Sequence, residues 1–263
     1  MSSQHSSAPV LDVRGLSIQF GGLKALQDLS FTIPAKTVFS IIGPNGAGKT
    51  TFFNIVTGIY TPTSGDIRFY GESLVGLEPN QIVRRGVCRT FQNIRLFQGL
   101  TVLENVMIGA DLHEKATLAD ILLRTGRFRA QERRTAAQAA EILDYVGILS
   151  DANELARNLP YGKQRRLEIA RALATRPRLL LLDEPTAGMN PSESEEMVQL
   201  FLRICSEKDV CVLMIEHDMK VVMGVSQKIL VLNFGRQIAF GSPQEVLANE
   251  AVVTAYLGHR KTG

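Results

Sequence analysis

Gly43-Pro44-Asn45-Gly46-Ala47-Gly48-Lys49-Thr50 constrains this chain more than any other segment. It fits the pattern G-x4-G-K-[ST] at every position. It lies between an apolar run, Val38 to Ile42, and a helix whose spacing runs from about Lys49 to Thr57. A short apolar run without alternation reads as a strand buried on both faces. Strand, glycine-rich loop and helix in that order turn backbone N–H groups toward a phosphate, and the helix dipole adds to the attraction. Lys49 would reach the β- and γ-phosphates of a nucleotide, and the Thr50 hydroxyl would coordinate Mg2+. Thr51 is counted with the loop among the nucleotide-binding residues.

The rest of the chain repeats the strand-helix texture. Residues 10–33 read as two strands around Gly21-Gly22, with Leu29, Phe31 and Ile33 alternating with polar residues. After a turn at Thr61 to Gly65, Ile67 to Tyr70 resumes a strand, and Val87 to Phe91 is another. Leu179 to Leu182 and Val210 to Ile215 are further buried strands, and Ile229 to Leu232 with Gln237 to Phe240 make a hairpin about Gly235. Asn190-Pro191-Ser192-Glu193 opens a helix, with Asn as cap and Glu three residues on. Between Thr101 and Asn158 the texture is helical: Leu103, Val106 and Met107 recur at helical spacing, and Ala139, Ala140, Leu143 and Val146 share a face. The expected fold is α/β, a largely parallel core sheet covered on both faces, with antiparallel first strands and an inserted helical subdomain.

Composition excludes little else. With 45% hydrophobic and 21% charged residues, the chain is ordinary for a globular protein, and a net charge of +3 does not by itself call for nucleic acid. Cys88, Cys205 and Cys211 lack metal-ligand spacing and read as buried thiols in a reducing compartment. The Ser-rich stretch 1–7 reads as a disordered tail with no secretory pattern. No apolar run approaches the ~18 residues needed to span a bilayer. The expectation is a soluble chain whose membrane role, if any, runs through a partner.

Two carboxylates, Asp183 and Glu184, close the Leu179 to Leu182 run. Ligands bind at the C-terminal edge of a parallel sheet, and successive strand side chains point opposite ways. Asp183 therefore suits the Mg2+ shell and Glu184 the attacking water, as general base or orienting group. Alone, such a string can be a strand end with a solvated acid; the upstream phosphate loop favours the catalytic role. His217 leaves another buried strand at the same expected edge, although a lone histidine is usually structural. Gln92 alone would be an ordinary surface amide.

Taken in order, Gly43 to Thr50, Gln92, Leu159 to Lys163, Leu179 to Glu184 and His217 resemble the ABC transporter ATPase family over nearly the whole chain. The resemblance implies a P-loop NTPase fold with ATP and Mg2+ as cofactors. It implies one nucleotide-binding domain over 8–263, with an ATP-binding core and β subdomain at 8–92 and 159–263 and a helical subdomain at 93–158. It makes Gln92 a glutamine that touches Mg2+ and couples to a membrane subunit, and His217 a switch that holds the γ-phosphate. Phe20 falls where the family stacks an aromatic on adenine, although a core or hairpin role also fits it. The family's Leu-Ser-Gly-Gly-Gln signature is here Leu159-Pro160-Tyr161-Gly162-Lys163, and its D-loop aspartate is here Asn190. Pro160 offers no N–H, which leaves Gly162, read as preceding a helix, and Lys163, with its added positive charge, as the contacts to a nucleotide on a second subunit.

Tyr161-Gly162, Arg89 to Phe97, Ile215 to Lys220 and Gly188 to Pro191 are similar to the ATPase subunits of branched-chain amino acid importers. Relatives that import urea or amides, or export lipopolysaccharide, share part of the pattern. The resemblance implies a head-to-tail pair of ATPase subunits, homo- or heteromeric, on separate membrane-spanning permease subunits. A substrate-binding protein is an indirect partner. The place implied is the cytoplasmic face of the inner membrane, with the chain held peripherally. An ABC ATPase acting on DNA or ribosomes would carry coiled-coil insertions or a second cassette, and neither is visible, so no nucleic acid is expected. The basic segment Arg124, Arg127, Arg129, Arg133 and Arg134, with Glu132, reads as a solvated helical face.

Overall fold

The structure is a computed structural model describing residues 9–110 and 126–257. Arg124 and the 1–7 tail lie outside the described residues. The described residues form two compact units, one drawn from 9–89 with 178–257 and one from 90–110 with 126–177.

The first unit holds two sheets. Strands β1 (Leu11–Phe20), β2 (Leu23–Ile33), β4 (Ser64–Phe69) and β5 (Glu72–Ser73) form an antiparallel sheet in the order β2-β1-β4-β5. Strands β3 (Val38–Ile42), β6 (Val87–Arg89), β7 (Leu179–Asp183), β8 (Cys211–Ile215), β9 (Lys228–Asn233) and β10 (Arg236–Gly241) form a second sheet, ordered β10-β9-β3-β8-β7-β6. Its pairs are parallel except β9 with β10, which is a hairpin. The buried runs predicted as strands are strands, and every residue of β3, β7 and β8 is buried. Each fully buried Leu, Ile or Val contributes about 2 kcal/mol, so the three central strands anchor the unit.

Helix α1 (Lys49–Val56) sends Phe52 and Phe53 into this core. Phe31 of the antiparallel sheet meets Phe39 of β3 at 5.6 Å and Phe52 at 5.5 Å between ring centroids. Helices α2 (Pro79–Arg84), α6 (Pro191–Glu207), α7 (Met219–Val225), α8 (Pro243–Leu247) and α9 (Glu250–Leu257) complete the unit. The expected cap of α6 is present: Glu193 N–H donates to Asn190 Oδ1 at 3.0 Å, and Asn190 N–H donates to Glu193 Oε2 at 3.0 Å.

The second unit contains α3 (Val102–Ala110), α4 (Gly126–Tyr145) and α5 (Tyr161–Ala174). It is wider than the expected helical subdomain, 93–158, and takes in α5, which packs on α3. Gly109 approaches so closely that a Cβ there would strike the Arg171 carbonyl and sit 3.1 Å from the Ala174 methyl. Strand β6 stops at Arg89, so Phe91 and Gln92 belong to the second unit and not to a strand. Arg129, Arg133 and Arg134 are exposed on α4, as a solvated basic face requires. Of the three cysteines, Cys205 and Cys211 are buried, but Cys88 is only half-buried, a correction to the expectation of three buried thiols. It sits on β6, the edge strand of the sheet among the described residues.

Candidate functional site

All five parallel strands of the six-stranded sheet run the same way, so the loops after β3, β7 and β8 leave one edge together. Gly43 to Gly48 follow β3 there, and Gly48 caps α1 with a left-handed φ of 102°. Two glycines are required by contact as well as by conformation. A Cβ on Gly43 would strike the Leu232 carbonyl, and one on Gly48 would lie 2.7 Å from the Ala25 carbonyl. The hairpin turn braces the loop, with Gly235 N–H donating to the Ala47 carbonyl at 3.1 Å. Pro44 is half-buried, Asn45 and Gly46 are exposed, Thr50 is exposed and Thr51 half-buried at the start of α1.

Lys49 is buried, and its ammonium folds across the loop to the carbonyls of Gly43 at 2.7 Å and Pro44 at 3.0 Å. Burial lowers its pKa from the usual lysine value, and the nearby charges of Glu184 and Asp183 oppose that shift. Lys49, Asp183 and Glu184 therefore act within one electrostatic field.

Asp183 ends β7 and is buried. Its Oδ2 accepts from Arg89 at 2.7 Å, and the same guanidinium donates to Asn54 Oδ1 on α1 at 2.7 Å while lying over the Phe53 ring. The sequence reading missed Arg89 and Asn54 as parts of the site. The signal available was weak: β6 had to be placed beside β7 before Arg89 and Asp183 could meet. Glu184 corrects another expectation. It lies past the strand end with φ 47°, so strand alternation does not set its direction. A non-glycine residue held in that region costs about 1–2 kcal/mol. Its N–H donates to the Ile215 carbonyl at 2.9 Å, and its Oε1 lies 3.9 Å from Nδ1 of the exposed His217.

Glu216, next to His217 and not singled out by its sequence, organises this edge. Fully buried, it accepts from the Thr186 N–H at 3.1 Å and hydroxyl at 2.6 Å, and from the His217 N–H at 3.0 Å. One carboxylate thus ties the loop after β7 to the loop after β8. Phe20 ends β1, is partly exposed, and meets Tyr60 edge-on at 5.1 Å.

Gln92, Gly162 and Lys163 belong to the second unit. Gly162 lies within the first turn of α5, not before it. The N–H groups of that turn have no carbonyl one turn back to receive them, so an anion would be attracted there. Lys163 is not a free positive charge: its ammonium pairs with Asp151 at 2.8 Å. No cluster of three or more His, Cys, Asp or Glu side chains suited to a metal occurs among the described residues. The oxygen donors Thr50 and Asp183 fit a hard cation that keeps much of its water, and Arg89 engages Asp183 through Oδ2, leaving Oδ1 to such an ion.

Comparison with known proteins gives the same class. The ABC transporter family model matches residues 26–187, and a model for the branched-chain amino acid ATP-binding cassette transporter matches residues 236–262. The high-affinity branched-chain amino acid transport ATP-binding protein BraF of Pseudomonas aeruginosa is 48% identical over 96% of this chain and 99% of its own. The corresponding LivG protein of Escherichia coli is 46% identical over the same shares. An ATP-binding cassette of an ABC transporter, solved in its ADP conformation, superposes with a TM-score of 0.82 at 28% identity, covering 95% of this chain and 99% of that one. The chain belongs to the ABC transporter family, as one of its nucleotide-binding ATPase cassettes. No helix among the described residues is long and apolar enough to cross a membrane.

Proposed function

We propose that this chain hydrolyses ATP with Mg2+ to energise import of branched-chain or other hydrophobic amino acids through separate membrane-spanning permease subunits. The observation that carries this reading is the glycine-braced loop with Lys49 inside the field of Asp183 and Glu184. Near full-length likeness to proteins named for branched-chain amino acid transport supports the substrate class, and the C-terminal match favours it over urea importers and lipopolysaccharide exporters.

The residues divide the work. The backbone of Gly43 to Gly48, with Thr51, cradles the phosphates, and Phe20 offers a face to adenine. Lys49 stabilises charge at the β- and γ-phosphates. Thr50 and Asp183 hold magnesium, with Gln92 as a further ligand. When bound, that ion supplies charge neutralisation across the phosphates. Glu184 orients the attacking water or takes its proton, and His217 holds the γ-phosphate oxygens. Gln92 also reports nucleotide state to the permease. Gly162 and the first turn of α5 meet the nucleotide of a second ATPase subunit, with Lys163 contributing its backbone while Asp151 holds its side chain. The chain works peripherally at the cytoplasmic face of the inner membrane, and a substrate-binding protein delivers solute from the other side.

Uptake of labelled leucine by cells expressing the chain with its membrane partners tests the reading. Lys49→Ala is expected to lose ATP binding and uptake together. Glu184→Gln keeps ATP but slows hydrolysis by about a hundredfold or more. Leucine uptake that survives both variants would sink the proposal, and loss of urea uptake instead would move the chain to the urea-importing relatives.

A further inference from the structure

Arg165 and Glu168 lie three residues apart on α5, and both are only 2% exposed. Their ion pair closes at 3.0 Å, yet most of its hydrogen bonding is directed at one other segment. Arg165 donates to the Phe91 carbonyl at 2.7 Å and to the Gln92 carbonyl. Glu168 Oε1 accepts from the Phe91 N–H at 3.3 Å. Tyr161, in the first turn of the same helix, accepts from Arg165 through its hydroxyl at 3.2 Å, and the guanidinium lies over its ring. The guanidinium serves these carbonyls at the expense of its own Nε, which is buried without a hydrogen-bond partner.

A buried ion pair of this kind is often no more stabilising than apolar side chains of similar size. Its specific effect is geometric. A planar guanidinium with donors in a fixed fork holds two successive carbonyls in one orientation, and the carboxylate accepts from the N–H of Phe91 just before them. The residues held are Phe91 and Gln92, and the helix that holds them carries Gly162 in its first turn.

We propose that Arg165 and Glu168 are positioning residues that clamp Phe91 and Gln92 to the helix bearing Gly162, so that the glutamine segment and the signature peptide respond to nucleotide as one body. This rests on the roles given above to Gln92 and Gly162. The clamp converts a change felt at Gln92 into a displacement of the first turn of α5, and the reverse.

The test uses the full chain carrying Arg165→Met with Glu168→Met. Amide hydrogen exchange is followed over 90–94 and 161–164, with and without Mg2+ and a non-hydrolysable ATP analogue, beside steady-state ATPase. In the parent protein the two segments are expected to change protection together when nucleotide is added. In the double variant, exchange over 90–94 should rise about tenfold or more, and the two segments should no longer change in step. KM for ATP should stay within about twofold while kcat falls about tenfold. A role in stability alone would lower the melting temperature and leave the in-step response intact, which would overturn the proposal. If the double variant does not fold, Glu168→Gln serves. It keeps an oxygen for the Phe91 N–H but removes the charge facing Arg165, so exchange over 90–94 should rise, and unchanged exchange overturns the clamp. Gln92→Ala separates the two readings. If it leaves kcat at the parent value while the clamp variants uncouple the segments, the clamp stands and the role of Gln92 fails. If it lowers kcat while the clamp variants leave exchange unchanged, the clamp fails and the role of Gln92 stands.

Discussion

Asp183 depends on a residue 94 positions away. Arg89 and Asp183 are each less than a tenth exposed, and the pair closes at 2.7 Å. Removing one member of a buried pair strands the other charge, at a cost of about 3–5 kcal/mol. Arg89→Met should therefore lower unfolding stability by about that amount in urea titrations, more than Asn54→Ala, which removes only one acceptor. A loss no greater than that of a surface substitution would show that the pair contributes little. The thiols give a second test at this scale. Burial pushes Cys211 up to about 12, and raises Cys205 as well. At pH 8 a thiol of that pKa is ionised in about one molecule in ten thousand, and only the thiolate reacts. Alkylation of the native protein should modify Cys88 first, with Cys211 labelled only after unfolding; mass spectrometry of partly labelled protein decides the order.

At the scale of elements, most boundaries were legible because they follow local rules. Asn190, Pro191 and Glu193 announce α6, and the reciprocal hydrogen bonds are found where the spacing puts them. Asn190→Ala should remove about 1 kcal/mol of stability, seen as a lower urea midpoint with an unchanged slope. An unaffected midpoint would mean that tertiary packing alone fixes the helix start. Asn190, at the position where the resemblance calls for an aspartate, is the cap of this helix. Expectations failed where an element's end is set by its neighbours. Strand β6 stops at Arg89 because its register with β7 runs only from Val87 with Leu179 to Arg89 with Leu181. Glu184 leaves the strand in a left-handed turn that strand periodicity cannot foresee. Gly162 enters α5 because the helix starts directly after Pro160, which lacks the N–H a helix interior would need.

For the whole molecule, the head-to-tail pair is the arrangement to test. Gly162→Asp would place a carboxylate where the opposite subunit's phosphate is expected. ATP binding by the isolated chain, measured by calorimetry, should persist, while ATP-dependent dimerisation in a Glu184→Gln background and the ATPase rate should both be lost. Lost affinity in the monomer would put the signature beside its own phosphate loop. Unchanged dimerisation and turnover would show that Leu159 to Lys163 no longer acts as a signature.

The sequence by itself determined whatever is carried by residues close together along the chain. That covers the strand, loop and helix around Gly43 to Thr50, the buried strands, the capped helix at Asn190 and the antiparallel first strands. Each depends on spacing, backbone conformation or capping within about one turn or strand. Only the tertiary structure decided what each charged side chain meets. Arg89 with Asp183, Arg165 with the Phe91 carbonyl, and Glu216 with Thr186 are separated by 94, 74 and 30 residues. Lys163 with Asp151 spans 12 residues and two separate elements. Such pairs are set by strand order and helix packing, and an ionic side chain in a sequence gives no sign of its partner until those are fixed.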